Sequence, residues 1–209
     1  MRNRTIKNLY DKKFDCFPFD GVWRATMGEP ETNGAWLVYG AEKNGKTWFS
    51  LHLAEYLSSF ASVLYISAEE GMGKTFVDAC QRAQIEPTNR RLHFLEYIPV
   101  DELSAKLAKR KSAKVIIIDN CTVYADELKA TALRKLLQKH PDKLFVFVAH
   151  EERNEPYTAA AKMAKKLAKI IVRVEGLACF VSGRCNGGTL TINEAKATLY
   201  HGDQISETP

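Results

Sequence analysis

The sequence predicts a single α/β domain: a mostly parallel central sheet flanked by helices, with antiparallel β-hairpins at the carboxy-terminal end. Three observations lead to this prediction. Short apolar runs alternate with helical runs along most of the 209 residues, which is typical of a parallel sheet. A glycine-rich loop joins the first of these apolar runs to a helical one. Near the end, short β-rich runs are separated by Gly and Asn, which favours hairpins.

The strands and helices of the first half follow from local patterns. A branched and aromatic run that ends in glycine predicts a strand at 35–40, and apolar residues at helical spacing follow in "GKTWFSLHLAEYLSSF". The remaining elements are a strand at 62–69, a helix in "GKTFVDACQRAQI", a weaker strand in "RLHFLEY" and a helix in "DELSAKLAKRKSA", whose first turn is acidic as the helix dipole favours.

The second half begins with "KVIIID" at 114–119, a continuous branched run typical of a strand buried on both faces. The elements that follow are a helix in "ADELKATALRKLLQKH", a buried strand in "KLFVFVAH", a helix in "YTAAAKMAKKLAK" and a strand in "IIVRVEG". The last runs, "LACFVSGRC", "GTLTI" and "ATLYHG", are predicted to form antiparallel hairpins.

Composition restricts the class of protein. With 45% hydrophobic and 26% charged residues, the chain is predicted to form one globular domain over 1–209. No apolar run approaches the ~18–20 residues of a membrane span, and the basic start lacks the apolar stretch of a signal peptide. Five scattered cysteines without a C-x-x-C pair indicate free thiols in a reducing compartment, so we expect a cytoplasmic protein. The net charge of +5 permits nucleic-acid binding without requiring it.

The loop Gly40–Thr47, "GAEKNGKT", satisfies the pattern G-x-x-x-x-G-K-[ST] between a predicted strand and a predicted helix. Its backbone N–H groups can wrap phosphates, its lysine can reach the β- and γ-phosphates, and its threonine hydroxyl can bind Mg²⁺. The predicted nucleotide-binding residues are Gly40, Ala41, Glu42, Lys43, Asn44, Gly45, Lys46, Thr47 and Trp48.

A second Gly-Lys-Thr ends the stretch "EEGMGKT" at 69–75. The first glycine of a phosphate loop would have to stand at position 68, which is Ala68. Because this loop is too short to close around a phosphate, we expect its Gly-Lys-Thr to begin the next helix, with Lys74 on the surface.

Carboxylates follow two predicted strands. Asp119 follows Val-Ile-Ile-Ile and is predicted to hold Mg²⁺ with Thr47, although an aspartate there is otherwise only a strand-end cap. The next residue, Asn120, cannot act as a general base. Either the protein hydrolyses nucleotide poorly or the base comes from elsewhere, and Glu69 at the end of the second strand is the candidate, the alternative being a solvated carboxylate.

The phosphate loop, an Asp without a following Glu, and the segment "YISAEEG" together resemble the RecA/DnaB group of P-loop ATPases, of which compact phage and mobile-element members are most similar. The resemblance implies a RecA-like fold, ATP and Mg²⁺ as ligands, Glu69 as catalytic base and Lys46 as a catalytic residue. It also implies that His150, at the end of "FVFVAH", senses the γ-phosphate.

Two further segments resemble this group. "EERNEPYTAAAKMAKKLAK" is similar to the loop and helix that contact single-stranded DNA, which implies a nucleic-acid interface at Arg153, Lys162, Lys165 and Lys166. "VSGRCNGG" resembles a hairpin that presents an arginine to the neighbouring subunit's nucleotide, which implies that role for Arg184. Ser182 replaces the lysine of that hairpin and its proline is absent, so the trans-acting role would rest on Arg184 alone.

The resulting prediction is an oligomeric Mg²⁺-dependent ATPase, a hexameric ring or a filament, that couples hydrolysis to single-stranded DNA in replication or recombination. One alternative is an ATP-gated scaffold or loader that acts on a protein partner, and a less favoured one is a small-molecule kinase. Residues 1–20 are expected to form an extension or arm. The stretch "FDCFPFDGVW" at 14–23, which overlaps its end, either drapes over a neighbouring subunit or completes the domain.

Overall fold

The computed structural model describes residues 3–201, and of Ala130 only the backbone, so the predicted range 1–209 extends beyond it at both ends. The helices are α1 (Ile6–Tyr10), α2 (Gly21–Met27), α3 (Lys46–Ser58), α4 (Lys74–Arg82), α5 (Val100–Leu107), the 3₁₀ helix Cys121–Tyr124, α6 (Ala130–Lys139), α7 (Ala159–Leu167) and α8 (Glu194–His201). The strands are β1 (Gly34–Gly40), β2 (Val63–Ser67), β3 (Leu92–Leu95), β4 (Val115–Asp119), β5 (Leu144–Glu152), β6 (Glu155–Pro156), β7 (Ile170–Glu175), β8 (Ala178–Gly183) and β9 (Gly188–Thr191).

One twisted sheet organises the domain, with the strand order β3-β2-β4-β5-β1-β7-β8-β9. The strands from β3 to β7 are parallel, whereas β8 and β9 continue the sheet in antiparallel pairing. The short β6 pairs only with the end of β5. The carboxyl ends of β1, β2, β4 and β5 therefore lie along one edge of the sheet, where open α/β sheets bind their ligands.

Each face of the sheet is covered by an apolar layer. On one face, α3 and α4 pack against side chains such as Trp36 and Tyr65. On the other face, α5, α6 and α7 pack against side chains such as Leu37 and Ile118. All five residues of β2 and of β4 are buried, and this two-sided burial explains why their sequences are apolar without alternation.

The amino-terminal segment belongs in part to this core. Phe17 and Phe19 are 2% and 1% exposed, and their rings stack with centroids 5.7 Å apart. Helix α1, by contrast, has no buried residue. Of the two alternatives for this segment, the structure favours the one in which it completes the domain, because Phe17 and Phe19 cover the sheet together with α2 and α3.

Three predicted elements differ from the observed ones. Residues 197–201 of the run "ATLYHG", predicted as a strand, belong to helix α8, because Asn193 accepts a hydrogen bond from the Lys196 N–H and Ala197 is buried; Gly202 lies outside the described residues. The predicted helix "ADELKATALRKLLQKH" begins only at Ala130, after a 3₁₀ helix. Helix α5 ends at Leu107, whose carbonyl accepts from the Ser112 hydroxyl, since the exposed basic residues that follow offer no apolar face. Among residues 3–201, no helix is both long and apolar enough to cross a membrane.

Candidate active site

A cavity of about 630 Å³ opens at the carboxyl ends of the central strands. It brings together residues from the loop after β1, from the ends of β2, β4 and β5, from α4, from the β7–β8 turn and from α8. The lining residues are Glu42, Lys43, Gly45, Lys46, Thr47, Trp48, Glu69, Glu70, Thr75, Ala79, Arg82, Asp119, Asn120, His150, Leu177 and Lys196.

The loop 40–47 connects β1 to α3 and owes its shape to two glycines. A Cβ on Gly40 would lie 2.1 Å from the Val174 carbonyl oxygen on the neighbouring strand, so no larger residue fits. Gly45 caps α3 with φ +100°, a conformation that favours glycine. The Asn44 side chain fixes the loop to the β7–β8 turn by accepting from the Gly176 N–H at 2.8 Å. The loop thus presents the amino terminus of a 13-residue helix to the cavity.

Lys46 provides the positive charge at the centre of the loop. Its side chain is 7% exposed, and its Nζ donates to the Ala41 carbonyl at 2.8 Å. Burial lowers the pKa of Lys46, and the nearby carboxylates of Asp119 and Glu69 act in the opposite direction. An ammonium group held within a backbone cradle at a helix amino terminus is suited to bind phosphate oxygens.

Asp119 lies next to Thr47, the last residue of the loop, and the two side chains form a hydrogen bond. Asp119 is 8% exposed at the end of β4, where its Oδ2 accepts from the Tyr65 hydroxyl at 2.5 Å. Burial raises the pKa of Asp119, whereas hydrogen bonds from Tyr65 and Thr47 lower it. Within the described residues, no group of three or more His, Cys, Asp or Glu could hold a metal ion. The Asp119 carboxylate and the Thr47 hydroxyl nevertheless fit Mg²⁺. This ion is usually held by one or two protein oxygens together with phosphate oxygens, and it keeps several of its waters.

Glu69 and His150 contact each other across the cavity from the ends of β2 and β5. His150 Nε2 lies 3.1 Å from Glu69 Oε1 and 3.2 Å from Oε2. The His150 Nδ1 atom is buried and has no hydrogen-bond partner in the described chain. The Glu69 side chain is 48% exposed, so a water molecule can reach it. A carboxylate and an imidazole in contact can exchange partners when an anion enters the cavity.

A charged network that the sequence did not predict holds the end of β5. Arg173 on β7 makes two hydrogen bonds to the Glu151 carboxylate, at 2.8 and 3.0 Å, and further bonds to Glu175 and Asn154. The Glu151 side chain is only 7% exposed. Because Glu151 follows His150 in the chain, this network fixes the backbone that carries the imidazole.

The predicted nucleic-acid residues lie outside the cavity. Arg153 is at the tip of the β5–β6 hairpin with φ +52°, and Lys162 and Lys166 are exposed on α7. Lys165 instead forms an ion pair with Glu155 at 2.8 Å and lies over the Tyr39 ring, 5.1 Å from its centroid.

Arg184 also lies away from the phosphate loop. It follows the last residue of β8, Gly183, which pairs with Ile170 at the start of β7. Because β8 is antiparallel to β7, Arg184 is at the opposite edge of the sheet from the cavity. The Asn186 side chain donates to the carbonyls of Arg24 and Ala25, so α2 holds this turn.

The second Gly-Lys-Thr begins helix α4, as expected. Gly73 caps that helix, and the Lys74 side chain is 88% exposed and ion-paired with Asp78 at 2.7 Å. Sequence reasoning missed other residues of the cavity. Thr75 and Arg82 line it because α4 packs beside α3, Leu177 lines it from the β7–β8 turn, and Lys196 lines it from helix α8.

Comparison with solved structures bears on the fold, whereas the comparisons of sequence found no match. No protein-family model matches the chain, and no curated protein matches it. Among solved structures, the flagellar accessory protein FlaH from Methanocaldococcus jannaschii is similar, with a TM-score of 0.59 and 15% sequence identity over 88% of this chain and 90% of FlaH. At this identity the likeness shows the fold alone. It confirms the predicted fold class, a RecA-like α/β fold with a mostly parallel sheet flanked by helices and antiparallel strands at its carboxy-terminal end.

Proposed function

We propose that this protein is an Mg²⁺-dependent ATPase. The proposal depends above all on one observation: the phosphate loop, the Thr47–Asp119 pair and the Glu69–His150 pair converge on the same cavity. A P-loop ATPase needs these three parts, namely a cradle for the phosphates, oxygen ligands for the metal ion, and a group that positions the attacking water.

Each group has a role in hydrolysis. Lys46 and the loop amides bind the β- and γ-phosphates, while Thr47 and Asp119 provide oxygen ligands for Mg²⁺, which neutralises phosphate charge when bound. Glu69 orients the water that attacks the γ-phosphorus and accepts a proton from this water. ADP leaves as the bond between the γ-phosphorus and the β–γ bridging oxygen breaks. Asn120 cannot take this part, because an amide is no base near neutral pH.

The contact between His150 and Glu69 supports a sensing role for His150. In the structure, the His150 imidazole contacts the Glu69 carboxylate at 3.1 Å. A γ-phosphate offers stronger acceptors for the imidazole N–H. His150 therefore turns from Glu69 to the phosphate, which frees Glu69 for water, and it reports the γ-phosphate to the β5–β6 hairpin, which follows His150 in the chain and carries Arg153.

We further propose that the ATPase works as an oligomer, a hexameric ring or a filament, in which Arg184 completes the active site of the neighbouring subunit. Its exposure and its position opposite the cavity support this assignment. In this proposal hydrolysis is coupled to single-stranded DNA, which the β5–β6 hairpin and α7 contact through Arg153, Lys162 and Lys166. Lys165 contributes less, because Glu155 already neutralises its charge.

A specific observation favours a second candidate, an ATP-gated accessory factor that acts on a protein partner. The hairpin proposed to contact DNA carries the exposed Glu152 next to Arg153, and its Glu155 pairs with Lys165, so little net positive charge remains there to attract phosphates. FlaH, which has the same fold, is named as a flagellar accessory protein.

The experiment is steady-state ATP hydrolysis with and without single-stranded DNA, for the unchanged protein, Glu69→Gln and the neighbouring Glu70→Gln. We expect Glu69→Gln to lower the rate at least about 100-fold while nucleotide still binds, and Glu70→Gln to lower it far less. Stimulation by DNA supports the DNA-coupled form. Hydrolysis that is indifferent to DNA favours the accessory factor, and a protein that neither binds nor hydrolyses ATP contradicts the proposal.

A further inference from the structure

One wall of the cavity is formed by residues that have no role in the hydrolysis proposed above. The β7–β8 turn contributes Leu177 to this wall, and helix α8 contributes Lys196. Both belong to the side of β1 where β7 and β8 lie, whereas Glu69, Asp119 and His150 follow β2, β4 and β5 on the other side. Lys196 therefore faces the cavity from the side opposite the catalytic carboxylates.

Helix α8 is held against the β7–β8 turn by several contacts. The Tyr200 ring covers Gly176 so closely that a Cβ there would lie 2.2 Å from its Cδ1 atom. His201 Nε2 lies 2.9 Å from the Glu175 carbonyl, and Ala197 is fully buried. Since the Gly176 N–H donates to Asn44 of the loop, α8 and the loop are connected through a single turn.

The direction of a bound nucleoside triphosphate follows from the proposed function. Its γ-phosphate must face Glu69 and His150, because these residues carry the base and the sensor. The β-phosphate then lies in the loop at Lys46, and the α-phosphate lies nearest the β7–β8 side of the cavity. The side chain there is a lysine, for which the structure shows no carboxylate partner within residues 3–201.

We propose that Lys196 binds the α-phosphate of the nucleotide and that α8 is a wall of the nucleotide site. This assignment rests on the proposed function and adds to it a residue from outside the phosphate-loop motif. An ammonium on a helix attached to the loop forms a charge-assisted hydrogen bond to a phosphate oxygen. Arg82, which also lines the cavity, belongs to α4 after β2 and so lies on the γ-phosphate side.

The test measures the dissociation constants of ATP and ADP in the Glu69→Gln protein, which leaves ATP intact. Lys196→Ala and Lys196→Glu are compared with Lys109→Glu, an equal charge change at an exposed lysine outside the cavity. We expect Lys196→Ala to weaken ATP and ADP by the same factor, about tenfold, and Lys196→Glu to weaken both further. Lys109→Glu should change neither by more than about twofold.

The comparison of the two nucleotides decides the outcome. An equal loss for ATP and ADP supports the assignment, because both nucleotides contain the α-phosphate, whereas the β-phosphate that they also share lies at Lys46 in the loop. A loss for ATP alone would place Lys196 at the γ-phosphate and overturn it, as would unchanged affinities in Lys196→Glu. Thermal unfolding checks that the variants are folded, which we expect because Lys196 is exposed. If the Glu69→Gln parent binds neither nucleotide, the proposed function itself is contradicted.

Discussion

At the scale of single residues, the hydrogen bond between Tyr65 and Asp119 sets the geometry of the metal site. Tyr65 is fully buried, and its hydroxyl donates to Asp119 Oδ2 at 2.5 Å. This bond occupies one carboxylate oxygen and so directs the other toward Thr47 and the cavity. Tyr65 is therefore a positioning residue. It acts on the proposed metal site only through the Asp119 carboxylate.

Tyr65→Phe removes this hydroxyl and leaves the ring in place. We expect the Mg²⁺ concentration needed for half-maximal ATP hydrolysis to rise about tenfold, because the buried Asp119 carboxylate loses its strongest donor. Tyr56→Phe is the matched control, since it removes another tyrosine–aspartate bond, to Asp20 at 2.7 Å, outside the cavity. An unchanged Mg²⁺ requirement in Tyr65→Phe would refute the positioning role.

The five thiols are predicted to react in an order set by burial. Cys121 and Cys179 are at most 1% exposed, whereas Cys16 is exposed. At pH 8 a thiol reagent should modify Cys16 quickly and the two buried thiols only after urea unfolds the chain. Timed labelling with and without urea, followed by mass spectrometry of peptides, measures this, and rapid labelling of Cys121 in the folded protein would contradict the buried position.

Burial also predicts how stability depends on pH. The pKa of the Cys121 thiol is raised from 9.0 to about 12. Above pH 9 the unfolded chain therefore loses a proton that the folded protein keeps, so the free energy of unfolding falls as the pH rises toward 12. Urea titrations between pH 8 and 10.5 should show this fall, and it should be smaller in Cys121→Ala.

At the scale of elements, features coded by neighbouring residues were predicted, and features created by packing were not. The phosphate loop and the strand at 114–119 were placed to within one residue, since a glycine pattern and a continuous apolar run are local signals. Helix α8 was missed because its burial depends on the β7–β8 turn beneath it. Arg173 and Lys196 were missed because strand order and helix docking, rather than spacing along the chain, bring them to the site.

The two Gly-Lys-Thr stretches have the same sequence in different structural settings, because one ends the loop after β1 and the other begins α4. Comparing them tests whether the setting, rather than the tripeptide, makes a phosphate site. We expect Lys46→Ala to weaken ATP binding about 100-fold, since it removes a buried ammonium from the phosphates. Lys74→Ala should leave affinity within about twofold, because that side chain is 88% exposed and pairs with Asp78. Equilibrium binding of a fluorescent ATP analogue measures both, and equal losses would show that the second stretch is also a phosphate site.

The connection between β7 and the end of β5 predicts a large effect of Arg173→Gln. This change leaves the Glu151 carboxylate, 7% exposed, without its bidentate partner, which should cost about 1–3 kcal/mol of unfolding free energy. Arg24→Gln is the control, because the Arg24–Glu29 pair is exposed on both sides and surface pairs contribute under about 1 kcal/mol. Urea unfolding compares the two variants, and equal, small losses would contradict a structural role for the network.

At the scale of the whole molecule, strand order separates the two groups that the proposed reaction needs. The cavity lies at the carboxyl ends of the parallel strands, and the turn after β8 lies at the opposite edge. Helix α2 supports this turn through Asn186, and the Gly187 N–H donates to the Thr26 carbonyl at 2.9 Å. A turn built this firmly does not bring Arg184 to the cavity of the same chain, so in the proposed mechanism the arginine acts on a neighbouring subunit.

Mixing two inactive variants tests this arrangement. Lys46→Ala subunits lack a working phosphate loop but keep Arg184, whereas Arg184→Ala subunits keep the loop. Each alone should hydrolyse ATP at least about 10³-fold more slowly than the unchanged protein, the usual contribution of an arginine finger. In mixed oligomers, an intact loop on one subunit meets Arg184 from the next, so the mixture should be more active than the sum of its parts. The rate per subunit of the unchanged protein should also fall on dilution, and a strictly additive mixture with a dilution-independent rate would exclude action across subunits.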